Sequence, residues 1–199
     1  MDLSDSDYQL LGCDRAAITP QEKVDDQIDL ASFQRHGDPW DDGFASMKNL
    51  LRQYYSLEQV THLLEQSKQN FDLVIYSRAD VLYRRPVRVP EVEPGVICTP
   101  RFAKWGGLND RFALGDQQTM TKYGLRGKAA LDYTEKTKQS LHAERFLEWY
   151  VQQQGFRNED LDVIFWRVRA DGRIARDDGY FRRIHIAYHL LKDRMSKRY

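Results

Sequence analysis

Cysteine is scarce in this chain: only Cys13 and Cys98 occur in 199 residues, at a spacing that fits neither a metal site nor a redox pair. Cys98, inside Val96-Ile-Cys-Thr99, reads as a small buried apolar residue. An excess of one charge is also missing. Lys+Arg and Asp+Glu both number 30, for a formal net charge of zero. That balance removes any argument for nonspecific attraction to nucleic acid or to a membrane surface. The one local excess is the tail, where Lys192, Arg194, Lys197 and Arg198 outnumber Asp193, and a solvated end is the simple reading. No apolar run is long enough to span a bilayer, and no signal peptide is legible. The expectation is a soluble protein in a reducing, cytoplasmic setting. Clustered histidine is absent too. His36, His62 and His142 are scattered, and His185 and His189 share a helix face without a third ligand, which argues against a metal-dependent phosphoesterase. Aromatic residues are plentiful at 12%, several of them beside polar motifs, as carbohydrate-handling proteins often have.

The chain is organised around Phe71 to Tyr83. Phe71, Leu73, Val74, Ile75 and Tyr76 form a near-continuous apolar run, which predicts a strand buried on both faces of a parallel or mixed sheet. That strand delivers Arg78 and Asp80 past its carboxyl end, where open α/β sheets bind ligands. Before it, residues 1–32 read as an acidic, irregular arm in which Gln21 to Asp29 is either a short helix or irregular. Gly37-Asp-Pro-Trp-Asp-Asp-Gly43 is a turn-rich loop. Met47, Leu50, Leu51, Tyr54, Leu57, Val60 and Leu64 recur every three or four residues and predict a helix over 45–67. After the central strand, short strands are expected at 96–99 and 111–115, with Asp116 capping a helix that runs through Tyr123. Residues 125–139, charged and weakly patterned, read as mobile surface. A helix over 140–154, a strand over 161–169 centred on Val163-Ile-Phe-Trp166, an Asp171-Gly172 turn and a last helix over 180–194 complete the chain. The fold class is α/β: a mixed, mostly parallel sheet flanked by helices, in a single domain over 33–199.

Three groups of residues could carry chemistry. In Arg78-Ala-Asp80, a carboxylate could hold a divalent cation while substrate phosphates and waters complete its shell, and the guanidinium could compensate a leaving diphosphate. A structural ion pair is the simpler alternative. In Trp105-Gly-Gly-Leu-Asn-Asp-Arg111, Gly106 and Gly107 would let the backbone approach a ligand. Asn109 and Asp110 offer an amide and a carboxylate beside an indole that could stack on a sugar. A tight turn fixed by local hydrogen bonds explains the same residues. In the first turn of the 140–154 helix, Glu144 is either a general base with His142 nearby or a carboxylate favoured there by the helix dipole. Arg52 and Gln53 lie in the long helix, and Arg167 and Arg169 follow the last strand; both pairs have ordinary surface or hairpin readings.

Taken in order, Gly37-Asp-Pro-Trp40, Arg52-Gln-Tyr-Tyr-Ser-Leu57, Asp72 to Tyr83, Gly106-Gly-Leu-Asn-Asp-Arg-Phe-Ala-Leu-Gly115 and the Glu144 helix resemble a group of small GT-A-type glycosyltransferase-like proteins. The similarity runs from about Gly37 to Arg173. It implies a GT-A-like sheet that binds a nucleotide-sugar donor and a glycan-type acceptor. It further implies that Asp80, the last position of a DXD-like motif, holds Mn²⁺ or Mg²⁺ against the donor diphosphate. The loop from Gly106 to Asp110 would face donor sugar and acceptor. Asp110 is then the first choice of base and Glu144 the second; Arg52, Arg78, Trp105, Asn109, Arg111 and His142 are expected to contact donor or acceptor. Two departures stand out: the motif reads Arg78-Ala-Asp80, with one carboxylate, and no first strand is evident before Phe71. A noncatalytic module that kept the sheet and lost the donor site is the alternative.

Overall fold

The computed structural model describes residues 12–169 and 171–175. The expected acidic start, the basic tail, the helix over 180–194 and the His185–His189 pair lie outside the described residues. Two short helices, α1 (Gln21–Asp25) and α2 (Leu30–Gln34), bury Val24 and Phe33, so the stretch from 21 to 34 is helical and packed. Helix α3 (Ala45–Ser67) has the bounds that its periodicity predicts, with Met47, Leu50, Leu51 and Tyr54 buried. The loop before it is built by Asp38, whose carboxylate accepts from the backbone N–H groups of Trp40, Asp42 and Phe44.

Six strands follow among the described residues: β1 (Val74–Ser77), β2 (Val81–Tyr83), β3 (Val96–Pro100), β4 (Phe112–Gly115), β5 (Arg157–Leu161) and β6 (Phe165–Arg167). Four of them form a mixed sheet in the order β1-β4-β3-β5, and β2 pairs with β6 as a separate ribbon. The sheet is not mostly parallel. Only β3–β5 is parallel, whereas β1–β4 and β3–β4 are antiparallel. The cause is connectivity: a loop alone joins β3 to β4, and parallel neighbours need a crossover. The chain between β4 and β5 supplies one, with α4 (Gln117–Gly124), a 3₁₀ turn (Arg126–Ala129), α5 (Ala130–Thr137) and α6 (Ala143–Gln153).

Alternation along the strands divides the core. Ile97 and Ala113 face the layer of Met120, Tyr123, Leu147 and Val151 from α4 and α6. Val96, Cys98, Phe112 and Leu114 face Val163 and Phe165, with Val81 and Tyr83 of the ribbon packed against them. A third cluster joins α3, α5 and α6 through Tyr54, Tyr133 and Phe146.

Three further expectations change. β1 is an edge strand, not one buried on both faces, and Ile75 remains 44% exposed. The apolar run misleads because one of its faces borders a cleft. Residues 125–139 are not surface coil, since Arg126, Ala130, Tyr133 and Thr134 are buried. Their inward residues are mostly polar or aromatic, which hides the helical period. The strand expected over 161–169 is two strands, because the chain leaves the main sheet at Leu161 and joins the ribbon at Phe165. The Asp171-Gly172 turn is present, closed by the Gly172 N–H on the Arg169 carbonyl.

Candidate functional site

A cleft of about 1300 Å³ opens between α3, the exposed face of β1 and the start of α6. Its walls include Arg52, Arg78, Asp80, Trp105, Asp110, Arg111, His142 and Glu144. Gly106, Gly107 and Asn109 are not part of its lining. Six arginines (Arg52, Arg78, Arg111, Arg126, Arg167 and Arg169) face three carboxylates (Asp80, Asp110 and Glu144), so the cleft favours anions.

Arg78 and Asp80 form a fork-to-fork pair just past β1. Nε and Nη2 of Arg78 donate to the two Asp80 oxygens, both at 2.7 Å. This bonding, more than any other influence, holds the Asp80 carboxyl below its ordinary range, and Arg167 adds to the effect. The third arm continues the chain. Arg78 Nη1 donates to Gln53 Oε1 at 2.7 Å, and Gln53 Nε2 donates to Asp110 Oδ2 at 3.0 Å. A continuous relay, Asp80–Arg78–Gln53–Asp110, therefore crosses the cleft from the β1 end to the Trp105 loop.

At the far end Glu144 is 5% exposed, in the first turn of α6. Burial, and next the negative charge of Asp110, push its carboxyl up to about 7, against the opposing pull of Arg111. Arg111 Nη2 lies 3.7 Å from Glu144 Oε1, and His142 Nδ1 lies 3.3 Å from Oε2 without the alignment of a hydrogen bond. The His142 ring stacks on Trp40 at 5.3 Å between centroids, and burial before all else lowers its pKa, which keeps the imidazole neutral near pH 7. The Gly37-Asp-Pro-Trp40 turn thus serves to seat Trp40 against this histidine.

The Trp105 loop divides between rim and scaffold. Trp105 is 49% exposed and holds a left-handed backbone (φ 45°), a conformation rarely kept by a bulky residue without a reason. Gly107 approaches protein rather than a ligand, because a Cβ there would stand 2.0 Å from the Glu144 carbonyl oxygen. The Leu108 N–H donates to that same oxygen at 3.0 Å. Asn109 is fully buried. Its amide donates to the Phe102 carbonyl and its oxygen accepts from the Arg111 N–H, so it shapes the loop. Arg52 is engaged elsewhere: Nε and Nη2 grip Asp25 at 2.7 Å each, and Nη1 donates to Asn49.

The donor set around Asp80 does not fit Mn²⁺ or Mg²⁺. Both carboxylate oxygens already accept from a guanidinium, and a second positive charge acts from Arg167. Arg126 escapes a reading of the sequence, and the role of Gln53, read there with Arg52 as ordinary helix surface, is missed. Gln53 had a signal: it falls three residues after Leu50 and four before Leu57, on the inward stripe of α3. Arg126 had a fainter one, the glycines at 124 and 127 that bracket it.

Among the described residues no helix is long and apolar enough to cross a membrane. Comparisons with family models, curated proteins and solved structures return no match.

Proposed function

We propose that the chain is a glycosyltransferase that moves a hexose from a nucleoside-diphosphate sugar to a hydroxyl acceptor. The observation that carries this reading is the relay: the Arg78–Asp80 pair and the Asp110–Glu144 pair open onto one cleft and are hydrogen-bonded through Gln53. At about 1300 Å³ the cleft has room for two ligands, donor and acceptor. Arg78 and Arg167 receive the diphosphate, with charge-assisted hydrogen bonds that strengthen as the leaving group gains charge. Trp105 stacks on a sugar face.

Glu144 is the general base, in preference to Asp110. Its carboxyl, held at about 7, is matched to proton transfer near neutral pH, and Asp110 contributes by raising it. The acceptor O–H gives its proton to Glu144, the acceptor oxygen forms a new bond to the anomeric carbon, and the bond from that carbon to the diphosphate oxygen breaks. The nucleoside diphosphate departs with the electron pair. No step passes through a metal ion, since the residues around Asp80 do not fit one.

The test is a thermal-shift and hydrolysis screen of nucleoside-diphosphate sugars, run in Mn²⁺ and again in EDTA. At least one donor should raise the melting temperature in both buffers, and Arg78→Ala should abolish the rise while leaving far-UV circular dichroism unchanged. A well-folded protein that responds to no donor overturns the proposal.

A noncatalytic sugar-phosphate-binding module is the second reading. The closure of Arg78 on Asp80 favours it, because a donor must displace that bond. Donor binding with no hydrolysis or transfer in wild type, and no change in Glu144→Gln, selects the module.

A further inference from the structure

Arg126 lies in a turn that only bare backbone allows. A Cβ on Gly124 would stand 2.0 Å from Thr61 Oγ1, and one on Gly127 would stand 2.7 Å from Tyr54 Cβ. The turn therefore lies directly against α3 and drives the Arg126 side chain inward. Its guanidinium carbon sits 4.1 Å from the Tyr123 ring centroid and 5.4 Å from that of Tyr54, and Nη1 donates to the Tyr123 carbonyl at 3.1 Å.

The residue is 1% exposed, yet it borders the anion-favouring cleft. Among the described residues its Nε has no hydrogen-bond partner. The hydroxyl of Tyr54, the ring beside it, is a second buried group without a hydrogen-bond partner among the described residues. Two aromatic faces offset part of the cost of burying a cation, but they supply no acceptor for Nε. Arg78 and Arg52 differ on this point, since each spends its Nε/Nη2 edge on an aspartate. In Arg126 the corresponding edge, the one that grips oxyanions side by side, has no protein acceptor among the described residues.

We infer that Arg126 forms the floor of an oxyanion subsite in the cleft, where its Nε and Nη2 take two oxygens of a ligand carboxylate or phosphate. The ligand brings the acceptor that no described residue supplies to Nε. The inference is independent of sugar transfer, because it concerns what the free protein holds.

Thermal unfolding tests it with two probes, sodium pyrophosphate and sodium glucuronate, each against sodium chloride at matched ionic strength and without nucleotide sugar. At least one probe should raise the melting temperature of the wild type by about 3–5 °C at roughly ten times its Kd. A response to pyrophosphate alone identifies phosphate as the ligand group, and a response to glucuronate alone identifies an acidic sugar. Arg126→Met should lose the shift and, without anion, melt no lower than wild type, because an apolar chain then replaces an unbalanced buried cation. Arg126→Lys keeps a charge but no fork, and should lose at least half of the shift; it decides the case if the methionine variant does not fold. The inference is overturned if neither probe acts beyond salt, if Arg126→Met folds and either keeps the shift or melts several degrees lower, or, where that variant does not fold, if Arg126→Lys keeps more than half of the shift. A pyrophosphate shift that survives Arg126→Met and disappears in Arg78→Ala belongs to the other arginine and also overturns it.

Discussion

The side chain that repays closest attention is Glu144, a nearly enclosed carboxyl whose proton leaves near neutrality. In the unfolded chain it titrates at the ordinary 4.5, and in the folded protein at about 7, so the native state holds the proton more tightly. Stability is therefore full below the unfolded value, falls as pH rises through about 7, and levels off above it. Glu144→Gln cannot ionise and should abolish that slope. Against wild type it should gain about 2–3 kcal/mol at pH 8 relative to its difference at pH 4, as read by urea unfolding at the two pH values. An equal difference at both would show that Glu144 ionises as it does in water. If Glu144 accepts the acceptor proton, transfer should also rise with pH through about 7 and vanish in the same variant. Asp80 runs the other way: its arginine pairing contributes at neutral pH and is lost as acid protonates it, a modest effect for a carboxylate 39% exposed.

Among the elements, the junction of the Trp105 loop with α6 fixes Glu144 in place. Gly107→Ala would force a methyl against the Glu144 carbonyl and break the Leu108 hydrogen bond. A cost of about 3 kcal/mol is expected. Gly106→Ala, at φ 84° but with only Arg145 Nε near at 3.6 Å, should cost about 1 kcal/mol. Urea denaturation of both variants orders them; the reverse order would mean that φ, and not packing, sets the glycine requirement. Elements with one clear period were legible before any coordinates, α3 above all, as were the short strands at β3 and β4 and the Asp116 cap of α4, which accepts from the Thr119 N–H. The failures have physical causes. The β1 run is apolar on both faces because one of them lines a cleft. The α5 region looked solvated because it buries threonine, tyrosine and arginine, residues whose burial depends on partners distant in sequence. Arg78, Asp80, Asp110 and Glu144 do share a cleft, but the Gln53 relay that joins them spans segments no local pattern connects.

At the scale of the whole molecule, equal numbers of acidic and basic residues place the pI near 7.0. Self-repulsion is then weakest at neutral pH, and solubility should pass through a minimum there. Light scattering between pH 5.5 and 9 at fixed protein concentration checks this, and a flat profile would mean that local patches, not net charge, govern association. The arginine-bearing wall of the cleft has a different dependence on the whole chain. Arg78 and Asp80 precede β2, Arg167 ends β6, and the two segments meet through the three pairs Val81–Arg167, Leu82–Trp166 and Tyr83–Phe165, with the Val168 N–H on the Asp80 carbonyl. Nearly the entire main sheet and four helical segments lie between those strands in sequence, so this closure carries a large loop entropy and depends on the rest being in place. A newly synthesised chain can close this arginine-bearing wall only after β6, the last strand among the described residues, has been made, so the wall forms after the helical layer that precedes it in sequence.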